Sequence, residues 1–288
     1  MKFVRYGPRG REKPGLIDDA GRLRDLSAHL VDVDAGMLAP ASLSRLARLD
    51  PGRLQLVRGK PRLGCPVARV GKFIAIGLNY ADHAAEAGMP LPTEPVAFMK
   101  ATSCIQGPND PVMLPKGSKK TDWEVELGVV IGTRARYVTQ RDALRHVAGY
   151  CVVNDVSERA FQLERGGSWY KGKGCDTFGP IGPWLATTDE VPNPQRLGLW
   201  LDLNGQRMQT GNTRTMVFGV AKLVSYVSQF MTLEPGDVLT TGTPPGVGMG
   251  IKKKDGTPAP RFLRPGDVMH LGIDGLGEQT QTVQAFAG

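Results

Sequence analysis

The chain has 288 residues, 41% of them apolar and 22% charged, with a formal net charge of +8. That balance excludes a disordered chain, and the length gives room for one large core with a small appendage. The charge does not read as a nucleic-acid footprint: the densest basic run, Lys252-Lys253-Lys254, carries no aromatic interleaving, and no zinc-finger, homeodomain or RNP pattern occurs. An attraction for small anionic molecules suits it equally well.

The 37 glycines and 22 prolines favour many turns and short strands over long helices. Residues 1–65 read as a small leading domain. A strand at Phe3 to Tyr6 and another near Pro14 to Asp18 precede a segment in which Leu43, Leu46 and Leu49 share a helix face. Arg62 to Arg69 reads as a linker to a larger body at 70–288, which opens with a buried strand over Lys72 to Gly77. Valine-rich strands are expected at Glu124 to Ile131, Gly149 to Asn154, Leu199 to Leu203, Asp237 to Thr240, Asp267 to Ile273 and Gln279 to Ala285. Asn204-Gly205 marks a hairpin turn. Two helices are expected between them. One is capped by Thr139 with Arg141 to Arg145 as its body, and the other spans Val220 to Met231. The composition of elements predicts a mainly β (α+β) fold.

Four cysteines, Cys65, Cys104, Cys151 and Cys175, form no CxxC pair and no metal-site spacing, so they read as isolated thiols of a reducing compartment. No segment approaches the roughly 20 apolar residues of a membrane helix, and the N-terminus lacks an apolar leader core. A cytoplasmic location without membrane or nucleic-acid partners is the expectation.

Glu124 and Glu126 are two apart in an apolar strand and so project from one face. Asp155 closes a second apolar strand. Three such carboxylates offer hard oxygen ligands for magnesium, manganese or calcium, whereas zinc is disfavoured because no His or Cys is spaced with them. A half-exposed strand with solvated acids fits the Glu-x-Glu spacing too. His83 follows a strand in a polar, glycine-punctuated segment; if that segment is helical, Glu86 lies at i,i+3 and can fix the imidazole tautomer and raise its basicity. A surface histidine beside an acid is the plainer reading. Trp169 to Asp176 presents two lysines in a glycine-rich loop, and Thr240 to Gly248 is a tight loop with free backbone N–H groups. Neither is a P-loop, and no Gly-x-Ser-x-Gly elbow occurs.

Together these pieces carry a resemblance. Gly77-Leu78-Asn79-Tyr80 with His83 and Glu86, Asp122 to Leu127, Asn154 to Arg159, Lys173, and Thr241 to Gly246 follow one another as in the fumarylacetoacetate hydrolase family, over about three quarters of the chain. The resemblance implies a rolled β-sheet fold, a homodimer, and Mg²⁺ or Mn²⁺ held by Glu124, Glu126 and Asp155. It implies His83 and Glu86 as a water-activating dyad on a lid helix and Lys173 as a catalytic cation. Gln162, Thr243 and Arg159 fall at substrate-binding positions. One departure is Ala160, where many relatives carry an aspartate behind the arginine. Residues 164–171 and 209–213 look like the branch that cleaves 2,4-diketo-3-deoxy-L-fuconate or -rhamnonate. The expected activity is therefore metal-dependent hydrolysis of a C–C bond in a 2,4-diketo acid, giving pyruvate and a hydroxy acid. Ureidoglycolate lyase, oxaloacetate decarboxylase and acylpyruvate hydrolase are the alternatives, with a non-enzymatic sugar-acid binding protein more distant.

Overall fold

Two runs, Val125–Ile131 and Val147–Asn154, are buried at every position, so each needs cover on both faces and a partner on both edges. They pair antiparallel with one another, and this pair sits near the middle of the largest sheet. The computed structural model describes residues 1–88 and 90–287. Among these, eleven strands build that sheet, a second sheet has five strands, and a two-stranded ribbon joins Thr121–Asp122 to Ser157–Glu158. The mainly β expectation holds, and no helix is long and apolar enough to cross a membrane.

On one side of the central pair, Val238–Thr240 pairs with Val125–Ile131, Phe73–Gly77 runs parallel to it, and Val96–Lys100 forms the edge. On the other side, Gly179–Thr187 pairs with Val147–Asn154, and Lys2–Tyr6 continues the sheet antiparallel to it. The strands of the first 65 residues and those of the larger body are thus hydrogen-bonded into one sheet. Leu63–Gly64, within the expected linker, pairs with Lys2–Tyr6.

The second sheet carries the Asn204-Gly205 hairpin between Gly198–Leu203 and Gln206–Asn212. Both turn residues have positive φ, 53° and 77°, as the turn requires. Leu199, Leu201 and Leu203 point inward from its first strand and join the common core.

Two expectations about helices change. Thr139 caps no full helix: residues Ala143–His146 make one 3₁₀ turn, because the chain must be extended again at Val147. The Thr139 hydroxyl instead donates to the Asp142 carboxylate at 2.7 Å. The second helix covers Val220–Val227 and stops before Phe230, which is exposed. The nine-residue strand Gly179–Thr187 escaped the sequence pattern because its glycines and prolines read as turn. A register shift opposite Tyr150 to Val152 accommodates it.

Candidate active site

The antiparallel register Val125↔Asn154 brings the start of one central strand against the end of the other. Asp155 therefore lies beside Glu124, and its backbone N–H donates to the Glu124 carbonyl at 2.8 Å. One carboxylate oxygen from each of Glu124, Glu126 and Asp155 lies within 4.8 Å of the others, and all three residues are buried. The solvated-strand reading of the Glu-x-Glu pair is thereby set aside: Glu124 is 6% and Glu126 1% exposed.

Each carboxylate has a distinct surrounding. Glu124 faces Lys173 Nζ at 2.6 Å and Arg159 Nη2 at 2.7 Å. Burial pushes its pKa up, but those two cations outweigh burial and hold it well below the usual carboxylate range. Glu126 accepts from the Thr240 hydroxyl and from Gly242 N at 2.8 Å, with no cation in contact among the described residues. Burial first, then the charges of Asp155 and Glu124, push its carboxyl well above the ordinary value. Asp155 contacts Lys173 Nζ through Oδ2 at 2.6 Å.

Lys100 is the group that sequence reasoning missed. Its ammonium is fully buried, 2.5 Å from Asp155 Oδ1, and it donates to the Lys173 and Val156 carbonyls. The approach to Oδ1 lies off hydrogen-bond directions, so this oxygen is close to a charge yet accepts no hydrogen bond. The distance makes it an ion pair. Four buried carboxylates, Asp122 included, thus meet three cations.

Asp122, quoted in the sequence motif without a role, anchors Arg159. It takes Arg159 Nε and Nη2 at 2.9 Å each, and accepts from Gly248 N and Met249 N. Arg159 Nη1 donates to Gln162 Oε1 at 3.1 Å. The arginine is therefore held by Asp122 and Glu124, although residue 160 is alanine. Because the arginine is a pure donor, it fixes the Gln162 amide with its oxygen toward Arg159 and its NH₂ group away.

His83 and Glu86 lie on the helix Ala81–Ala87, with Nδ1 and Oε2 3.2 Å apart. Glu86 is steadied by Gly246 N at 3.1 Å, and Lys252 Nζ donates to its backbone carbonyl. Nδ1–H donating to the carboxylate leaves Nε2 as the basic nitrogen. Thr243 is more occupied than expected: its hydroxyl donates to the Val125 carbonyl and accepts from Gln209 Nε2 at 2.8 Å.

His83, Glu124, Glu126 and Thr243 line one cavity of about 190 Å³, together with Arg159, Gln162 and Lys173. Asp155, Lys100 and Glu86 support it from behind. Every residue expected in the site is thus either on this cavity or in contact with a residue that is. The donor set fits a hard divalent cation: three clustered, buried carboxylates with no His or Cys among them.

Known proteins resemble this chain in sequence and in fold. Residues 72–284 match the family described as fumarylacetoacetate (FAA) hydrolase, C-terminal. A protein of Burkholderia ambifaria, provisionally named a hydrolase, is 66% identical over 99% of both chains. A solved structure from Mycobacterium abscessus, described as a probable 2-hydroxyhepta-2,4-diene-1,7-dioate isomerase, aligns with TM-score 0.83 at 33% identity over the whole of both chains. Maleylpyruvate hydrolase from Sphingobium sp. SYK-6, solved with manganese(II) and pyruvate, aligns with TM-score 0.80 at 27% identity, also over both whole chains.

Proposed function

Because the chain belongs to the fumarylacetoacetate hydrolase family, we propose that it uses water to cleave the C3–C4 bond of a 2,4-diketo acid, releasing pyruvate. Glu124, Glu126 and Asp155 would hold Mg²⁺ or Mn²⁺, whose Lewis acidity stabilises the oxygen charge of a departing pyruvate enolate. The carrying observation is the convergence of a His–Glu pair and a carboxylate cluster on one small cavity.

His83 Nε2 takes a proton from a water as its oxygen bonds to C4. Lys173 has three N–H groups and gives two of them to Glu124 and Asp155, so one is left for the C4 oxyanion. Asp155 and Glu124 raise the Lys173 pKa against the lowering effect of burial, so the ammonium stays charged. The Gln162 NH₂ group is a second donor on the same cavity. Collapse of the oxyanion breaks C3–C4 and leaves its electron pair on C3. The His83 imidazolium returns the proton there, giving pyruvate and the acid of the tail.

The diketo sugar acids belong to this substrate class. Of the two stretches that suggested them, one brings Trp169 to the cavity. In the other, Gln209 is engaged with Val125 N, Thr243 and the Pro244 carbonyl.

The test is pyruvate release from a panel of 2,4-diketo acids, ureidoglycolate and oxaloacetate, with Mn²⁺ and with EDTA. His83→Ala should lower diketo-acid hydrolysis about 100-fold or more, while any oxaloacetate decarboxylation persists because it consumes no water. Undiminished hydrolysis by that variant overturns the reading.

A further inference from the structure

Apart from its charged and polar groups, the cavity is lined by apolar residues. Its wall starts at Phe98, whose ring lies 5.5 Å from Lys173 Nζ, and continues to Trp169, edge-to-face with Phe98 at 5.2 Å. The Trp169 ring rests directly on the Gly77 backbone: a Cβ there would come within 2.3 Å of it. At the mouth, Leu163 and Met249 line the cavity although they are 48% and 43% exposed. Ligand pockets are lined chiefly by apolar and aromatic side chains, and such a wall suits an apolar group.

The charges point the same way. Among the described residues, the cations lining the cavity are Arg159 and Lys173, and both are engaged by buried carboxylates. A tail carboxylate would meet no free counter-ion, and a polyhydroxylated tail would lose water against a wall of rings and aliphatic chains.

Resting on the hydrolase reading above, we propose that the substrate is a 2,4-diketo acid with an uncharged, apolar acyl tail. Phe98, Trp169, Leu163 and Met249 select it, with Gly77 giving Trp169 its seat.

Two measurements separate this proposal from the reaction it rests on. With Mn²⁺-loaded enzyme, kcat/KM for pyruvate release should rise from acetylpyruvate through its longer alkanoyl homologues, by up to about fourfold per buried methylene. Maleylpyruvate and a trihydroxylated diketo acid should fall about tenfold or more below the apolar compound of equal length. Turnover of a charged or hydroxylated tail at the level of the apolar ones overturns the tail assignment while upholding hydrolysis. If no acid yields pyruvate, the hydrolase reading fails, and binding decides the tail: calorimetry should give 2-oxoheptanoate a Kd at least about tenfold below that of 2-oxoadipate, and equal affinities overturn the proposal. Trp169→Ala, with folding checked by thermal melting, should raise KM selectively for long tails and flatten the chain-length series. Trp169→Phe should restore part of the slope. An unchanged series in Trp169→Ala also overturns the assignment.

Discussion

Lys100→Met isolates what the buried ammonium does for the cluster. The substitution keeps length and removes the charge from a side chain with no exposed surface, 2.5 Å from Asp155 Oδ1 and 2.5 Å from the Lys173 carbonyl. Breaking one partner out of a buried ion pair costs about 3–5 kcal/mol, because the remaining charge stays buried. With an unfolding entropy near 2.1 cal/mol/K per residue, a chain of this length loses about 5–8 °C of Tm for that change. The electrostatic consequence for ions is opposite in sign. Four carboxylates would then face two cations instead of three, so a divalent ion should be bound at least as tightly and should recover more of the lost Tm. Thermal melting in EDTA and across a Mn²⁺ titration reads both effects. A variant that melts within about 1 °C of the parent in EDTA, or that gains less from Mn²⁺ than the parent does, refutes the charge balance argued above. The double variant Lys100→Met/Asp155→Asn should be less destabilised than the sum of its parts, since each substitution removes the other's unpaired partner.

Glu126→Gln should behave differently. The amide oxygen can still accept from Thr240 and Gly242, and the like-charge repulsion from Asp155 and Glu124 disappears. Tm in EDTA should therefore be unchanged or higher. The stabilisation by Mn²⁺, about 2.7 kcal/mol at 100 times Kd in the parent, should vanish together with turnover; a retained Mn²⁺ shift would remove Glu126 from the ligand set. The thiols give a pH dependence. Burial pushes Cys65, Cys104 and Cys175 up to about 11, and Cys151 higher still. At pH 8 only about one Cys175 in a thousand is thiolate. Native labelling by a disulfide reagent should be slow, rise about tenfold per pH unit toward 11, and precede that of the other three. Fast stoichiometric labelling at pH 8 contradicts this.

The carboxylate site was legible because strand periodicity is local: Glu124 and Glu126 share a face wherever the strand goes. That Asp155 joins them depends on the register Val125↔Asn154, which only the motif order hinted at. The His83–Glu86 pair was legible for the same reason in helical form, since residues three apart touch. The strand Gly179–Thr187 was not, because its glycine and proline content speaks for turns, and tertiary pairing overrode it. Thr243 matched a binding position, yet its hydroxyl is engaged by Val125 and Gln209, contacts that no spacing encodes.

Lys100 shows where local reading ends. In Val96–Lys100 it is two residues from Phe98, so one strand face sends a ring into the cavity wall and an ammonium under Asp155. A lysine in an edge strand ordinarily blunts that edge in solvent; here the helix Tyr170–Lys173 packs over it, and the Lys173 carbonyl accepts a hydrogen bond from its ammonium. The same helix places Lys173 between Glu124 and Asp155, and the residue before it, Trp169, on Gly77. One short turn of chain, which the sequence presented as a glycine-rich loop, thus sets both the charge of the reacting end and the apolarity of the tail end. Lengthening or loosening that turn should therefore alter ion affinity and tail selectivity together, whereas substitutions at Leu163 or Met249 should move selectivity alone.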